Sequence, residues 1–329
     1  MQWIYFPLFP VWLFYSIKAR SLFFFNAANP SIRNGGLTME SKKEIYDIIP
    51  TKYIPKTVLV DMIMPVDQLI ERAKTAGIEF PMIAKPDIGM KAFGVEKILG
   101  GDDLDSYARN AKAPFLLQEL INYGNEIGIF YCRLPGSEKG MITGIVEKRF
   151  LTITGNGCET MTDLIKSRPR SFFQLASLRR KYGALLNEVL ADGEDFILIP
   201  FGSHTRGSEF IDITDQCTDT LVNTIDSICR QIPGFYFGRL DIRYTSLLDL
   251  SHGENFSIIE INGAGSEPTH IYDPRHSIFF AWKEIIRHWN LLYQISTLNF
   301  ENGHPYLTYT EGRKLLKENS KLEAALKLI

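Results

Sequence analysis

Two runs decide how this chain is read: Gly238-Arg239-Leu240-Asp241-Ile242-Arg243-Tyr244 and Ile258-Ile259-Glu260-Ile261-Asn262-Gly263-Ala264-Gly265. Each alternates apolar and polar residues, the period of a half-buried strand, and the polar stretch Asp249 to Asn255 supplies a turn between them. In an unbulged hairpin Asp241 falls opposite Glu260 and Arg239 opposite Asn262, because each pair of numbers has the same sum. Period-2 geometry then sets all four side chains on one face. Two facing carboxylates repel unless a cation lies between them, and the Asn262 carbonyl oxygen completes a hard-oxygen set suited to Mg²⁺. A solvated strand face is the ordinary account of a single acid. Here Arg239 adds a fixed cation, and the Gly263-Ala264-Gly265 turn is expected to bring bare backbone amides alongside, so the patch offers metal and anion contacts together.

Bulk composition bounds the alternatives. With 329 residues, 45% hydrophobic, the chain can bury a large core divided between two or more subdomains. A formal net charge of -2 gives no general attraction to nucleic acid, which is not expected as a partner. Cys132, Cys158, Cys217 and Cys229 form no C-x-x-C pair, so neither a zinc site nor a disulfide framework is indicated and a reducing cytoplasm is expected.

The N-terminus is the exception. Trp3 to Ile17 is apolar or aromatic apart from Ser16, is broken by Pro7 and Pro10, and is followed by Lys18, Arg20 and Leu22-Phe23-Phe24-Phe25. The run is short for a spanning helix and lacks the flanks of a signal peptide. Its aromatic density and trailing cations suit a bilayer interface, peripheral at the inner face of the membrane. Packing of residues 1–25 on the protein's own surface or on a second subunit fits the same residues.

Along the chain, helices are predicted at Met39 to Ile49 with Ser41 as cap, Pro65 to Ala76, Asp102 to Lys112, Glu159 to Lys166, Phe172 to Leu190, Asp215 to Ile232, His276 to Tyr293 and Thr310 to Lys327. Strands are predicted at Phe80 to Pro86, Phe115 to Gln118, Ile127 to Arg133, Met141 to Lys148, Phe196 to Pro200, Phe235 to Tyr244 and Phe256 to Ile261. No internal repeat or long linker interrupts them. The divisions expected are an aromatic arm at 1–38, α+β subdomains at 39–118 and 119–295, and a helical extension at 296–329.

Together the pieces from about Met39 to about Pro274 resemble an ATP-grasp enzyme. Gln118-Glu119-Leu120-Ile121-Asn122-Tyr123-Gly124-Asn125-Glu126, with its seven-residue step between two glutamates, is similar to the interdomain hinge of D-alanine:D-alanine ligases. The resemblance implies an α+β fold whose two subdomains clasp ATP between antiparallel sheets. It implies an adenine hinge at Glu119, Leu120 and Ile121 and a ribose contact at Glu126, a carboxylate being able to accept from two vicinal hydroxyls. Ile83-Ala84-Lys85-Pro86 and Gly89-Met90-Lys91-Ala92-Phe93-Gly94 resemble the family's strand lysine and phosphate loop. Lys85, leaving an apolar strand, is a costly buried cation unless an anion pairs with it, and Gly89, Lys91 and Gly94 would close over phosphate. Lys42 holds the place of an earlier phosphate lysine, with Lys43 as its rival.

The hairpin aligns Asp241, Glu260 and Asn262 with the family's metal ligands and Arg239 with the arginine that stabilises charge at the reacting carbonyl. Two Mg²⁺ ions, or Mn²⁺ in their place, are implied with ATP. Arg206, after His204, is given a phosphate or acyl-substrate contact. Gly263 to Ser266 with Glu267 would border an acceptor pocket whose amides bind a substrate carboxylate. Gly144 to Phe150, Gly155 to Ile165 and Gly207 to Asp215 resemble cyanophycin synthetase and related amino-acid ligases. The activity implied is carboxylate–amine, or carboxylate–thiol, ligation of small molecules through an acyl phosphate. A small-molecule kinase and a non-catalytic nucleotide-binding protein docked through the arm are the alternatives. The turn at Glu267-Pro268-Thr269-His270 departs from the dipeptide ligases, and the aromatic arm stands where they carry a substrate-holding α/β domain.

Overall fold

The computed structural model describes residues 2–61, 64–89, 93–202 and 206–326. Among the described residues eleven strands form three sheets: β1 Thr57–Val60, β2 Met82–Pro86, β3 Glu96–Ile98, β4 Phe115–Glu119, β5 Asn125–Cys132, β6 Met141–Arg149, β7 Leu151–Thr154, β8 Asp195–Ile199, β9 Glu209–Asp212, β10 Phe237–Tyr244 and β11 Phe256–Asn262. The first sheet runs β1-β4-β2-β3, the second β11-β10-β5-β6-β9, and β7 pairs with β8 alone. Every pairing is antiparallel. This is an α+β architecture of two larger antiparallel sheets, joined through residues 120–124 between β4 and β5, and a third of two strands.

Local chemistry explains most of the elements. Ser41 caps the Lys42–Asp47 helix by accepting from the Glu44 amide at 3.1 Å. The Val66–Thr75 helix follows Pro65, buries Leu69 and Ala73 one turn apart, and ends before Gly77 at φ +71°. With the Gly101–Asn110 helix it covers one face of the first sheet through Leu104, Met82, Ala84 and Leu117. The Asp219–Arg230 helix is capped by Thr218 and buries Leu221, Ile225, Ile228 and Cys229 against Ile127, Ile129, Leu240 and Ile242 of the second sheet. Each such aliphatic side chain contributes about 1.5–3 kcal/mol by leaving water.

Four departures from the sequence reading have plain causes. The hairpin carries a bulge between Asp241 and Ile242, and the segment before β11 forms the Leu247–His252 helix instead of an open turn. Ser246 caps that helix by accepting from Asp249. The single helix expected at Phe172 to Leu190 is three pieces, Pro169–Phe172, Leu175–Tyr182 and a 3-10 turn at Gly183–Asn187, broken where Gly183 takes φ +53°. The short strands β1, β3, β7 and β9, three or four residues each, have too few positions to show a period.

The arm is integrated into the body. Phe23, Phe24 and Phe25 are buried with Phe130 and Phe237 of the second sheet and with Leu292 and Ile295 of the Ile278–Glu301 helix. Asn29, fully buried, makes a four-way clamp: its Nδ2 donates to the Gly35 and Phe237 carbonyls, and its Oδ1 accepts from the Tyr236 and Phe237 amides, all at 2.8–2.9 Å. The same sheet face is thus divided. Its lower part lies under the arm and the long helix, and its upper part bears the polar residues of β5, β6, β10 and β11.

Candidate active site

The hairpin register places Asp241 opposite Glu260 and Arg239 opposite Asn262, with the bulge one step beyond the pair. Because β10 also pairs with β5, Gly128 lies beside Asp241 and Glu126 beside Arg243. A Cβ at residue 128 would stand 2.9 Å from Val146 Cγ1, 3.2 Å from Arg239 Cδ and 3.3 Å from Asp241 Oδ1. Glycine there opens the space in which Arg239 lies across the sheet, its Nε and Nη2 donating to Asp241 Oδ1 and Oδ2 at 2.8 and 3.0 Å.

A residue absent from the sequence reading completes this centre. Lys148 of β6, buried, puts its Nζ 2.9 Å from Asp241 Oδ1 and 3.0 Å from Glu126 Oε1. Glu126 also accepts from the Gly202 amide at 3.1 Å and has Arg243 Nε at 3.4 Å. Arg243 in turn donates to the Tyr123 carbonyl of the inter-sheet connection at 3.1 Å. Glu126 therefore stands within the charged cluster, both carboxylate oxygens engaged, and a nucleotide ribose would have to displace one of those contacts. The signal for Lys148 was strand alternation in β6, which sets it on the face of Val146. Nothing local says that two carboxylates wait there.

Charge follows from this arrangement. Burial raises the Asp241 pKa, but Arg239 and Lys148 outweigh it and hold the carboxyl down at about 2. The Lys148 and Arg239 cations are stabilised in return, each raised against the burial that opposes it. Glu260, on the edge strand, is more open, with 35% of its side chain exposed and Lys42 Nζ at 3.8 Å.

The other half of the site comes from the first sheet and its helix. Lys85 of β2 is buried; its Nζ donates to Tyr46 Oη at 2.8 Å and to the Ile259 carbonyl at 3.3 Å, and Tyr46 Oη itself donates to the same carbonyl. Burial pulls the Lys85 pKa down to about 8, partly offset by Glu260 and Asp87. Lys42 Nζ donates to the Gly89 carbonyl at 2.9 Å and faces Glu260, whereas Lys43 turns away to pair with Asp47. The structure thus separates the two lysines: Lys42 faces Glu260 and Lys43 faces Asp47. Glu40, just before the helix cap, has a buried Oε2 without a hydrogen-bond partner among the described residues, and burial followed by the charge of Glu260 raises its pKa.

The remaining expected residues are placed as follows. Gly94 takes φ +66°, where a Cβ would press on the Pro86 ring, and Gly89 is held by Lys42. Lys91 and His204 lie outside the described residues. Arg206 lies over the Phe201 ring at 5.3 Å; burial lowers its pKa and Glu96, on β3 of the first sheet, opposes this. The Glu119 backbone amide donates to the Lys56 carbonyl at 2.9 Å and its Oε2 accepts from the Lys56 amide, so Leu120 and Ile121 leave the end of β4 as the connection begins.

One expectation is corrected. The amides after β11 are not bare: Ala264 donates to the Gly35 carbonyl and Gly265 to the Gly36 carbonyl, each at 2.9 Å, and Ser266 donates to the Gly263 carbonyl. The approach is so close that a Cβ on Gly36 would fall 2.7 Å from Gly263 Cα. The first two serve the arm and the third the turn itself. What the turn offers instead is Glu267, whose two carboxylate oxygens accept from Tyr5 Oη at 2.7 Å and Tyr272 Oη at 2.8 Å, beside Arg239.

Among the described residues no cluster of three His, Cys, Asp or Glu side chains could hold a metal by itself. The donor set nonetheless fits a hard cation that takes most of its ligands from phosphate and water. Glu260 is open, and Asn262 lies against Asp241, its Nδ2 3.4 Å from Oδ2, so turning the amide over aims Oδ1 at the same point. Asp241 joins such a set when Lys148 or Arg239 gives up one oxygen.

No family model matches the sequence, and no curated protein does. Among solved structures the chain is similar to a bifunctional glutathione synthetase from Pasteurella multocida (TM-score 0.39, 14% identity, 78% of this chain and 38% of that one). It is similar also to the VanG D-Ala:D-Ser ligase from Enterococcus faecalis (0.43, 13%, 82% and 63%) and to the ATP-grasp ligase PsnB complexed with a minimal precursor (0.39, 12%, 76% and 60%). The chain spans less than two thirds of each of these proteins.

Proposed function

We propose that this chain is an ATP- and Mg²⁺-dependent ligase that activates a carboxylate as an acyl phosphate and passes it to an amine or thiol, releasing ADP and phosphate. The observation that supports the reading is convergence: Lys42 Nζ, from the first half, stands 3.8 Å from Glu260, and Lys85 Nζ reaches the Ile259 carbonyl next to it on the same edge strand at 3.3 Å. Two lysines aimed at a half-open carboxylate edge suit a ligand that is anionic and brings its own divalent cation.

In this reading Lys85 and Lys42 hold phosphate oxygens, and the Glu119–Ile121 segment holds the base. Glu260 and Asn262, with Asp241, would hold Mg²⁺, which when bound offsets the charge of the phosphates. Arg239, fixed by Asp241, keeps a permanent positive charge where oxyanion character grows on the reacting carboxyl. Tyr5, Tyr272 and Glu267 wall the side from which the second substrate would come. The chain needs no nucleophilic side chain for this, since positioning and charge neutralisation supply the acceleration.

Hydroxylamine trapping with purified protein, MgATP and a fractionated metabolite extract tests the proposal. The expected result is an ATP-dependent hydroxamate with stoichiometric phosphate release. A phosphorylated alcohol in place of the hydroxamate would overturn ligation in favour of a kinase.

A further inference from the structure

The N-terminal segment carries an apolar surface that the ligase reading does not use. A helical turn Gln2–Tyr5, a 3-10 turn Phe6–Leu8 and the helix Phe9–Ala19 lie along the Ile278–Glu301 helix. The inner side is well accounted for: Trp12 packs on Phe24, Phe25 and Trp289, Tyr15 stacks on Tyr293, and the buried Ser16 hydroxyl donates to the Trp12 carbonyl. The outer side should be polar in a surface helix. It is Phe6, Phe9, Leu13, Phe14 and Ile17, exposed by 76, 62, 41, 56 and 68%. Phe279, 72% exposed, extends the patch; it packs edge-on against Trp282, whose indole nitrogen donates to the Ile4 carbonyl.

Charge says what covers this face. Between residues 2 and 39 there is no Asp or Glu, while Lys18, Arg20 and Arg33 are present. Lys18 stands at the C-terminal end of the apolar stripe, its Nζ 5.8 Å from the Phe14 ring and 5.2 Å from that of Tyr293, and Arg20 is exposed beside it. An exposed aromatic stripe ending in exposed cations, on a segment without acids, matches the headgroup boundary of an anionic bilayer, where rings sit at the acyl edge and cations reach phosphate. Among the described residues no helix is long and apolar enough to cross a membrane, so the segment would lie on the surface.

We propose that the outer face of the Phe6–Ile17 segment is an interfacial anchor for anionic membranes. It also brings the candidate site near the lipid, because Tyr5 of the same segment holds Glu267 beside Arg239. The inference stands apart from the ligase reading, and its test contains no nucleotide.

The full chain is sedimented with vesicles of phosphatidylcholine alone and with roughly 30% phosphatidylserine, the composition chosen to supply the surface charge that attracts basic segments. Binding to the anionic vesicles is expected, weaker with phosphatidylcholine and falling as salt is raised. The variant F9S/F14S/I17S, altered only at outward side chains, is expected to lose at least tenfold in partitioning with an unchanged circular dichroism spectrum. K18Q/R20Q, which leaves the apolar face whole, should lose the preference for phosphatidylserine. Absence of wild-type binding to either vesicle overturns the proposal, as does full binding by a folded triple variant. A concentration-dependent dimer that dissociates in the triple variant, with no lipid binding, would give the face to a second copy of the chain.

Discussion

Asp241 and Glu260 face each other across one strand pair, yet they live in different electrostatic worlds. Asp241, on an inner strand, is sealed between Arg239 and Lys148, and its carboxyl is held at about 2. Glu260, on the edge strand, keeps 35% of its side chain exposed and has Lys42 Nζ 3.8 Å away. Equal residues in an equal register thus divide the work. The inner acid fixes two cations, and the outer one keeps an open face.

The largest expected effect tests that division. Asp241→Asn leaves Lys148 and Arg239 buried with one carboxylate fewer, and urea unfolding should show a loss of about 3–5 kcal/mol. Glu260→Gln, by contrast, should stay within about 1 kcal/mol of the wild type in the same unfolding curve while Mg²⁺-dependent ATP turnover disappears. Equal destabilisation by both would dissolve the contrast. Next comes Gly128→Ala, which pushes a methyl group into the space Arg239 crosses; a loss of about 1–3 kcal/mol is expected. A neutral result would mean that Arg239 has another route to Asp241.

The pH dependence of nucleotide binding sharpens the role of the first half. Lys85 titrates at about 8 in the free protein, and bound phosphate favours its charged form. Affinity should be level below that pH and fall by up to about tenfold per pH unit above it, a profile that Lys85→Met flattens in calorimetric titrations. Stability of the free protein runs the other way. The unfolded lysine binds its proton up to about pH 10.4, so between 8 and that value the unfolded state holds more protons and stability rises with pH. The smallest contrast is between neighbours: Lys42→Ala should weaken nucleotide binding measurably, and Lys43→Ala should change it by less than about 0.5 kcal/mol.

Much of this architecture was legible in the residues. The Asp241–Glu260 and Arg239–Asn262 pairings are those of the simple hairpin read from the residues, since the bulge falls one step beyond them, and Ser41 caps the helix that carries Lys42. Strand period and a helix cap are local, so they survive in one dimension. Lys148 was not legible as a partner of Glu126 and Asp241, because its meaning comes from two strands brought alongside β6. The amides of Ala264 and Gly265 were misread for the same reason. A glycine turn looks open until the turn at Arg33–Gly36, more than two hundred positions earlier, is laid against it. The choice between Lys42 and Lys43 lay in the helix phase, which two adjacent lysines cannot disclose.

The buried Phe23–Phe25 triplet has a consequence for synthesis. Its cover includes Leu292 and Ile295, and the Asn299 side chain donates to the Ala27 and Ala28 carbonyls. At 5–20 residues per second, a ribosome needs roughly 15–50 s to travel from the triplet to that helix. For that interval three phenylalanines on a nascent chain lack the cover of that helix, so the arm is where chaperone capture during translation should concentrate, and where slower elongation would cost yield.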